Sequence, residues 1–130
     1  MDLRIQNALN IPIYDQIYSQ IRDQIISGKL HEDELLPSIR TLAKDNRISV
    51  ITTKRAYDEL ESDGYIYTVA GRGCFVKKVK QEKVMSEQLK EIRSYLKKVA
   101  SLAKPCGISE GELAKLMHEA LYEKKEGVEK

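Results

Sequence analysis

Apolar side chains recur every three or four residues in several stretches of this chain, which is the spacing of amphipathic helices. The clearest stretch is the series Ile13, Ile17, Ile21 and Ile25. Pro12 is tolerated in the first turn of a helix, and Gly28 suits a left-handed residue after its last turn. The pattern therefore predicts a first helix between Pro12 and Gly28. Residues before Ile11 are expected to form an extended arm or a poorly ordered leader.

Two shorter helices separated by a tight turn are predicted next, after a polar loop over His31–Glu34. Ser38 is suited to cap the first of these helices and Ser49 the second, with Asn46-Arg47 interrupting the pattern between them. The second is expected to end near Asp63-Gly64. Their predicted buried faces are Ile39, Leu42 and Ala43, and then Ala56, Tyr57 and Leu60.

The segment from Tyr65 to Val79 is predicted to form a β-hairpin. Tyr65–Val69 and Cys74–Val79 are rich in aromatic and β-branched residues, and Ala70–Gly73 between them holds two glycines suited to a tight turn. Gly71-Arg72-Gly73 has neither the third glycine nor the following helix of a dinucleotide site, so that interpretation is excluded.

Two further helices are predicted after a short charged link over Lys80–Lys83. The first ends at Lys104-Pro105-Cys106-Gly107, and Ser109 with Glu112 forms a capping box that opens the second. The tail from Lys124 is expected to fray. The apolar seam of the first is Leu89, Ile92, Leu96, Val99 and Ala103, and the inward face of the second is Leu113, Leu116, Met117, Ala120 and Leu121.

Length and composition limit the alternatives. At 130 residues the chain has room for one compact domain and a small appendage. It contains neither an apolar run of about 18 residues nor a basic-then-apolar leader, which predicts no membrane span and a cytoplasmic location. The cysteines and histidines are scattered, so no metal or cofactor is expected, and no pair of residues indicates an enzyme. They are Cys74, Cys106, His31 and His118.

The two short helices and the hairpin together form the pattern of a winged helix-turn-helix. The net charge is only +2, but basic residues concentrate in this half of the chain. A recognition helix contacts base edges through its N-terminal residues, while the start of the preceding helix and the hairpin tip can contact phosphate or the minor groove. The candidate DNA contacts are Ser38, Arg40, Ser49, Thr52, Thr53, Lys54 and Arg72.

Structural roles for some of these residues remain open. Ser38 and Ser49 can act simply as N-caps, and Arg40 can belong to a surface ion pair. Arg55 is expected to be a structural salt-bridge partner and not a DNA contact, because it lies about one step along the helix from Thr52 and Thr53.

A longer set of residues resembles a known family. The matching segments are Pro12-Ile13-Tyr14, Gln20-Ile21-Arg22, Ile26-Ser27-Gly28-Lys29-Leu30, Leu36-Pro37-Ser38-Ile39-Arg40, Arg55-Ala56-Tyr57-Asp58-Glu59-Leu60, Gly64 and Gly71-Arg72-Gly73-Cys74-Phe75-Val76. They closely resemble the winged-helix domain of the GntR family of bacterial transcription regulators, and the short two-helix remainder resembles the YtrA subfamily. The resemblance implies a homodimeric operator-binding regulator, usually a repressor, often of transporter genes. It also implies DNA contacts at Ser38, Arg40, Ser49, Thr52, Lys54, Gly71, Arg72 and Gly73.

The sequence departs from the family pattern at three places. Asp33 stands where a glycine is common, and Asn46-Arg47 replaces the usual Leu-Gly in the turn, which adds Arg47 as a candidate phosphate contact. Val50-Ile51 replaces a polar or basic pair that is frequent at the front of the recognition helix. This last change gives more weight to apolar contacts with thymine methyl groups.

The predicted fold class is α+β and mostly helical, with a winged helix-turn-helix domain over 10–79 and a C-terminal helical dimerisation region over 80–126. The apolar seam can pack within one subunit, but two short helices bury little alone, which favours a second copy and hence an inverted-repeat operator. The predicted dimerisation residues are Leu89, Ile92, Leu96, Val99, Leu113, Leu116, Met117 and Leu121. The alternative function is a protein-interaction module without specific DNA binding. The sequence does not identify a small-molecule effector.

Overall fold

The computed structural model describes residues 1–8 and 10–122. The elements are α1 (Ile13–Ile26), α2 (Ile39–Asn46), α3 (Val50–Ser62), β1 (Ile66–Val69), β2 (Gly73–Val76), α4 (Gln81–Cys106) and α5 (Glu110–Tyr122). This arrangement confirms the predicted fold class. The chain divides into two compact units, one over Met1–Met85 and one that begins at Ser86.

The N-terminal unit has one apolar core to which every one of its elements contributes. The predicted stripe of α1 is buried at Ile17, Ile21 and Ile25, whereas Ile13 is half-buried at its edge. Side chains from the rest of the unit complete the core, and they are Leu30, Leu36, Leu42, Ala56, Tyr57, Leu60, Ile66 and Val76. Burial of this apolar surface is what holds α2 and α3 in a fixed orientation.

The ends of α1 follow the predicted signals with one difference. Pro12 lies at the N-cap, with φ −55° and ψ 146°, and not within the first turn. Gly28 has φ +86°, and the Leu30 N–H donates to the Gln24 carbonyl across it at 2.9 Å. This is the left-handed C-terminal geometry that glycine favours, so the predicted end of α1 is confirmed.

The hairpin pairs in the antiparallel register Ile66 with Val76, Tyr67 with Phe75, Thr68 with Cys74 and Val69 with Gly73. The second strand ends at Val76, three residues before the predicted end. The segment after the polar loop joins this sheet through a bridge between Leu35 and Phe75, and the Leu36 N–H donates to the Cys74 carbonyl at 2.9 Å. Sequence reasoning missed this pairing, since Leu35 and Phe75 lie far apart in the chain.

The N-terminal segment is an extended arm along α1. Three glutamines spaced four residues apart on α1 bind the backbone of the arm at every second residue. Their side-chain amides form hydrogen bonds of 2.7–3.0 Å. The pairs are Gln16 with Gln6, Gln20 with Arg4, and Gln24 with Asp2. Leu3 and Ile5 of the arm also pack against the core. Of the two expectations for this segment, the extended arm is therefore the one found over residues 1–6.

The C-terminal unit is built from helices whose apolar faces remain exposed. α4 begins at Gln81, inside the predicted link, and continues through Pro105 to Cys106. The capping box of α5 is confirmed, because Ser109 and Glu112 exchange hydrogen bonds between backbone N–H groups and side-chain oxygens at 2.9 and 3.1 Å. The expected tail from Lys124 and the end of the 80–126 region lie outside the described residues.

The prediction that α5 has an inward face is wrong for the single chain. None of its residues is buried, and Leu116, Met117 and Leu121 are exposed. On α4 the seam residues Leu89, Ile92, Leu96 and Val99 keep 37–49% of their surface exposed. Within the described residues, only Ala103 of the seam is buried. Packing within one subunit therefore does not cover these faces.

Candidate nucleic-acid interface

The two helices of the helix-turn-helix start with the same local motif. The Ser38 hydroxyl oxygen accepts from the Thr41 N–H at 3.0 Å, and the Ser49 oxygen accepts from the Thr52 N–H at 2.9 Å. Each serine hydroxyl also donates to the hydroxyl oxygen of the same threonine, at 2.8 and 2.7 Å. Both serines are therefore N-caps, and both remain exposed.

A buried tyrosine links α3 to the start of α2. The Tyr57 hydroxyl donates to the Pro37 carbonyl at 2.7 Å, directly before the Ser38 cap. Burial raises the pKa of the Tyr57 phenol above its ordinary value, so the group stays protonated and remains a donor. One hydrogen bond thus ties the middle of α3 to the residue that precedes the α2 cap.

Two contacts hold α3 against α1. The guanidinium of Arg55 lies 3.6 Å from the centre of the Tyr14 ring, and its Nε is 3.3 Å from a Glu59 carboxylate oxygen. Further along α3, the Tyr18 hydroxyl donates to the Asp63 carboxylate. These contacts support the structural role expected for Arg55. The face of α3 that carries Val50, Ile51 and Lys54 remains uncovered.

The uncovered face of α3 carries the predicted base-reading residues, with one exception. Val50, Ile51 and Lys54 are exposed, and Thr52 is half-buried beside its cap. Lys54 Nζ lies 2.8 Å from an Asp58 carboxylate oxygen one turn later. This hydrogen bond raises the pKa of Lys54, which therefore stays charged. In the absence of DNA, Lys54 is engaged with its own helix.

Thr53 is the exception among the candidate contacts. Its side chain is 0% exposed, and its hydroxyl donates to the Ser49 carbonyl at 3.0 Å. A side chain with no exposed surface has nothing to offer DNA. We therefore correct the prediction for Thr53 and assign it to holding the first turn of α3. The helical period gave the signal, because Thr53 lies three residues before the inward-facing Ala56.

Arg47 occupies the turn in an unusual backbone conformation. Its φ of +55° and ψ of 47° are left-handed, which costs a non-glycine residue roughly 1–2 kcal/mol. Arg47 lines an open depression of about 320 Å³ with Ser49 and Thr52, and Asn7 from the N-terminal arm forms another part of its wall. The structure thus brings three predicted contacts together. Asn7 lies in the same wall, a neighbour that the sequence did not indicate.

The hairpin tip presents Arg72 between two conformationally constrained glycines. Gly71 has φ +78° and Gly73 has φ +122°, and a Cβ on Gly73 would lie 3.1 Å from Leu35 Cδ1. The Arg72 N–H donates to the Val69 carbonyl at 2.9 Å, which closes the turn. Gly71 and Gly73 therefore shape the tip, and the exposed Arg72 side chain is free to extend from it.

Arg40 is exposed near the start of α2. In the described part of the chain it forms no ion pair, so the surface ion-pair interpretation finds no support. Residues 1–8 and 10–122 also contain no grouping of side chains able to hold a metal ion, and no helix among them is both long and apolar enough to cross a membrane.

Comparison with known proteins identifies the family. Residues 13–76 match the family described as bacterial regulatory proteins, gntR family. The chain is 40% identical over 83 residues to the repressor NagR of Bacillus subtilis, covering 64% of this chain and 34% of NagR. It is 31% identical over 121 residues to the repressor YtrA of the same organism, covering 93% of this chain and 90% of YtrA.

Solved structures agree with this assignment. A protein described as a transcriptional antiterminator from Listeria monocytogenes superimposes with a TM-score of 0.74 at 32% identity, over 92% of this chain and 90% of that one. The DNA-binding domain of AraR, solved in complex with the operator ORX1, superimposes with a TM-score of 0.52 at 30% identity, over 58% of this chain and 95% of that one.

The chain belongs to the GntR family, and the match along nearly all of YtrA confirms the predicted YtrA-type organisation. It is a winged helix-turn-helix, DNA-binding protein similar to transcriptional repressors, and its family and relatives are regulators and not enzymes.

Proposed function

We propose that this protein is a homodimeric repressor that binds an inverted-repeat operator in the cytoplasm and controls genes that include transporter genes. The observation that carries the proposal is the exposed face at the start of α3, which carries Val50 and Ile51 and is flanked by the exposed basic side chains of Arg47 and Lys54. A helix end of this kind, held rigidly on a winged-helix core, is what enters the major groove in helix-turn-helix proteins.

The DNA contacts divide by the part of the duplex that they reach. Ser38 and Arg40, at the N-terminus of α2, contact phosphate, because the helix dipole and a guanidinium both favour an anion there. Arg47 contacts the phosphate next to the turn. Ser49, Thr52 and Lys54 face the base edges, and Arg72 reaches the adjacent minor groove from the hairpin. Gly71 and Gly73 allow the tip to approach the DNA closely.

Dimerisation uses the exposed faces of the C-terminal unit. Large apolar faces left open on a single chain mark a protein–protein contact. A second copy would cover the seam of α4 and the face of α5, with residues 10–79 acting as the DNA-binding domain and 80–126 as the dimerisation region. The contacting residues are Leu89, Ile92, Leu96, Val99, Leu113, Leu116, Met117 and Leu121. A twofold dimer carries two recognition helices, which is why the operator is an inverted repeat.

Selection of fragmented genomic DNA by the purified full-length protein tests this function. We expect the wild type to recover a small number of inverted-repeat sites, and Arg40→Ala to recover them with at least tenfold lower yield. Lys29→Ala is the control: it removes one exposed positive charge in the same unit, where Lys29 pairs with Asp2 away from the helix-turn-helix. It should select the same sites as wild type.

Indiscriminate recovery of DNA by all three proteins would contradict sequence-specific binding. Recovery of direct repeats or single half-sites would contradict the twofold dimer while leaving the DNA-binding surface in place.

The second candidate function is a protein-interaction module that has lost specific DNA binding. It is favoured by one observation, the exposed apolar side chain of Ile51 on the face that would enter the groove. The absence of any DNA recovery at low salt by folded protein would support it.

A further inference from the structure

An apolar pair opens the recognition helix. Val50 and Ile51 occupy the first two positions of α3 after the Ser49 cap, and they are 50% and 81% exposed. The other large apolar residues of α3, Tyr57 and Leu60, are buried in the core. Because α3 is described along its whole length, Val50 and Ile51 are its two exposed large apolar side chains.

These side chains contribute little to folding. An isoleucine that keeps 81% of its surface in water gains almost none of the burial that stabilises a core residue. The cap, the buried Thr53 hydroxyl and the inner apolar face already account for the helix. The apolar side chains in the first turn of α3 therefore indicate a contact with a molecule outside the single chain.

The surroundings favour DNA as that contact. Lys54 follows the pair on the same face, Arg47 precedes it in the turn, and both are exposed. Further along the same side, Lys54 pairs with Asp58 and Arg55 with Glu59. The core of a protein–protein interface is depleted in such charges. A standard interface as a whole buries about 800 Å² per partner, whereas two side chains offer far less apolar area.

We propose that Val50 and Ile51 are specificity-determining contacts that bind the C5-methyl groups of thymines in each operator half-site. This inference rests on the proposed function, and it identifies thymine as the base that this part of the site selects. In the major groove the thymine methyl is the apolar group that a base pair presents, and an aliphatic side chain at the start of a recognition helix is positioned to cover it. Arg47 would hold the phosphate next to the turn and Lys54 would face the base edges, while the apolar pair meets the groove floor.

Thymine-to-deoxyuridine substitution tests the proposal, because it removes the methyl group and leaves base pairing unchanged. Each thymine of an operator from the genomic selection is replaced singly, and the affinity of full-length protein is measured at fixed salt. At one or two positions in each half-site we expect about fourfold weaker binding by wild type, which is the loss of one buried methyl-sized group. For Ile51→Ala or Val50→Ala the loss at the corresponding thymine should disappear.

Ile11→Ala is the matched control. It truncates another exposed isoleucine of the same unit that does not lie on α3, so it should keep the full deoxyuridine penalty. Non-additivity between the protein and DNA substitutions identifies a direct contact, because independent sites add.

Three results would overturn the proposal. Wild type that binds its operator specifically but tolerates deoxyuridine at every thymine would refute the methyl contact and leave the proposed function intact. A change in oligomeric state on Ile51→Ala, with the deoxyuridine penalty retained, would show that the pair covers a protein interface. Failure of wild type to select any sites would remove both the proposed function and this inference.

Discussion

The two units of this chain bury their apolar residues in opposite ways. In the unit over Met1–Met85, residues from α1, α2, α3 and the hairpin meet in one core, and Ile17, Ile21, Ala56 and Leu60 are fully enclosed. In the unit that begins at Ser86, Leu89, Ile92, Leu96 and Val99 of the α4 seam stay exposed, and no residue of α5 is buried. The first unit has a complete fold within one copy. The second leaves its apolar faces exposed in the single chain, which is the basis of the proposed dimer.

The difference in burial fits the different roles proposed for the two units, DNA binding for the first and dimerisation for the second. A recognition helix must be held rigidly, since small displacements would misalign its contacts with base edges. A dimerisation element can leave its apolar surface open until a second copy binds, at which point association and stability become coupled to concentration. Three substitutions test whether the two units really differ in this way.

The largest effect is expected from Leu60→Ala in the core of the first unit. Leu60 is 0% exposed, and truncation of a fully buried leucine leaves a cavity. We expect the free energy of unfolding to fall by about 2–5 kcal/mol, measured by urea denaturation at several protein concentrations. Ile51→Ala on the same helix serves as the control and should change it by less than about 0.5 kcal/mol. A loss for Leu60→Ala that varies with concentration would contradict a self-contained core.

The next effect concerns association through the second unit. Leu96→Asp introduces a charge in the middle of the α4 seam, so we expect a monomer by analytical ultracentrifugation and a loss of operator affinity of about 10²-fold, because two linked half-site contacts become one. Ser94→Asp introduces the same charge on the same helix outside the seam and should remain dimeric. A dimeric Leu96→Asp protein would move the interface away from this seam.

The smallest effect sharpens the contrast within the first unit. Arg47→Gly relieves the left-handed backbone of the turn, and we expect a gain of about 0.5–1 kcal/mol in the free energy of unfolding. The same change removes the proposed phosphate contact, so operator affinity should fall several-fold and its salt dependence should weaken by about one phosphate.

Asp33→Gly is the comparison for Arg47→Gly, since Asp33 is also left-handed at φ +66° but its carboxylate accepts from the Tyr67 hydroxyl at 2.7 Å. Losing that bond should offset the relief of strain. Operator affinity that stays constant in Arg47→Gly would remove Arg47 from the DNA contacts.

The helices, their caps and the hairpin could be predicted from the sequence. The isoleucine stripe of α1, the Ser38 and Ser49 caps, the Ser109–Glu112 box and the glycines of the hairpin tip act within about four residues of chain. Such local interactions are visible in spacing alone. The candidate site was predictable to the same extent, because its residues lie at the helix starts and at the turn.

The remaining features depended on contacts between distant parts of the chain. In the tertiary structure Thr53 is buried, and three glutamines of α1 bind the N-terminal arm. Leu35 pairs with Phe75 beside the sheet, and most of the α4 seam stays exposed. Each of these depends on which surfaces meet, and residue spacing cannot specify a partner sixteen or forty residues away. The sequence by itself determined the local elements and the type of protein. The tertiary structure decided which polar residues reach the surface and which apolar faces stay exposed, because both depend on contacts between parts of the chain that lie far apart in sequence.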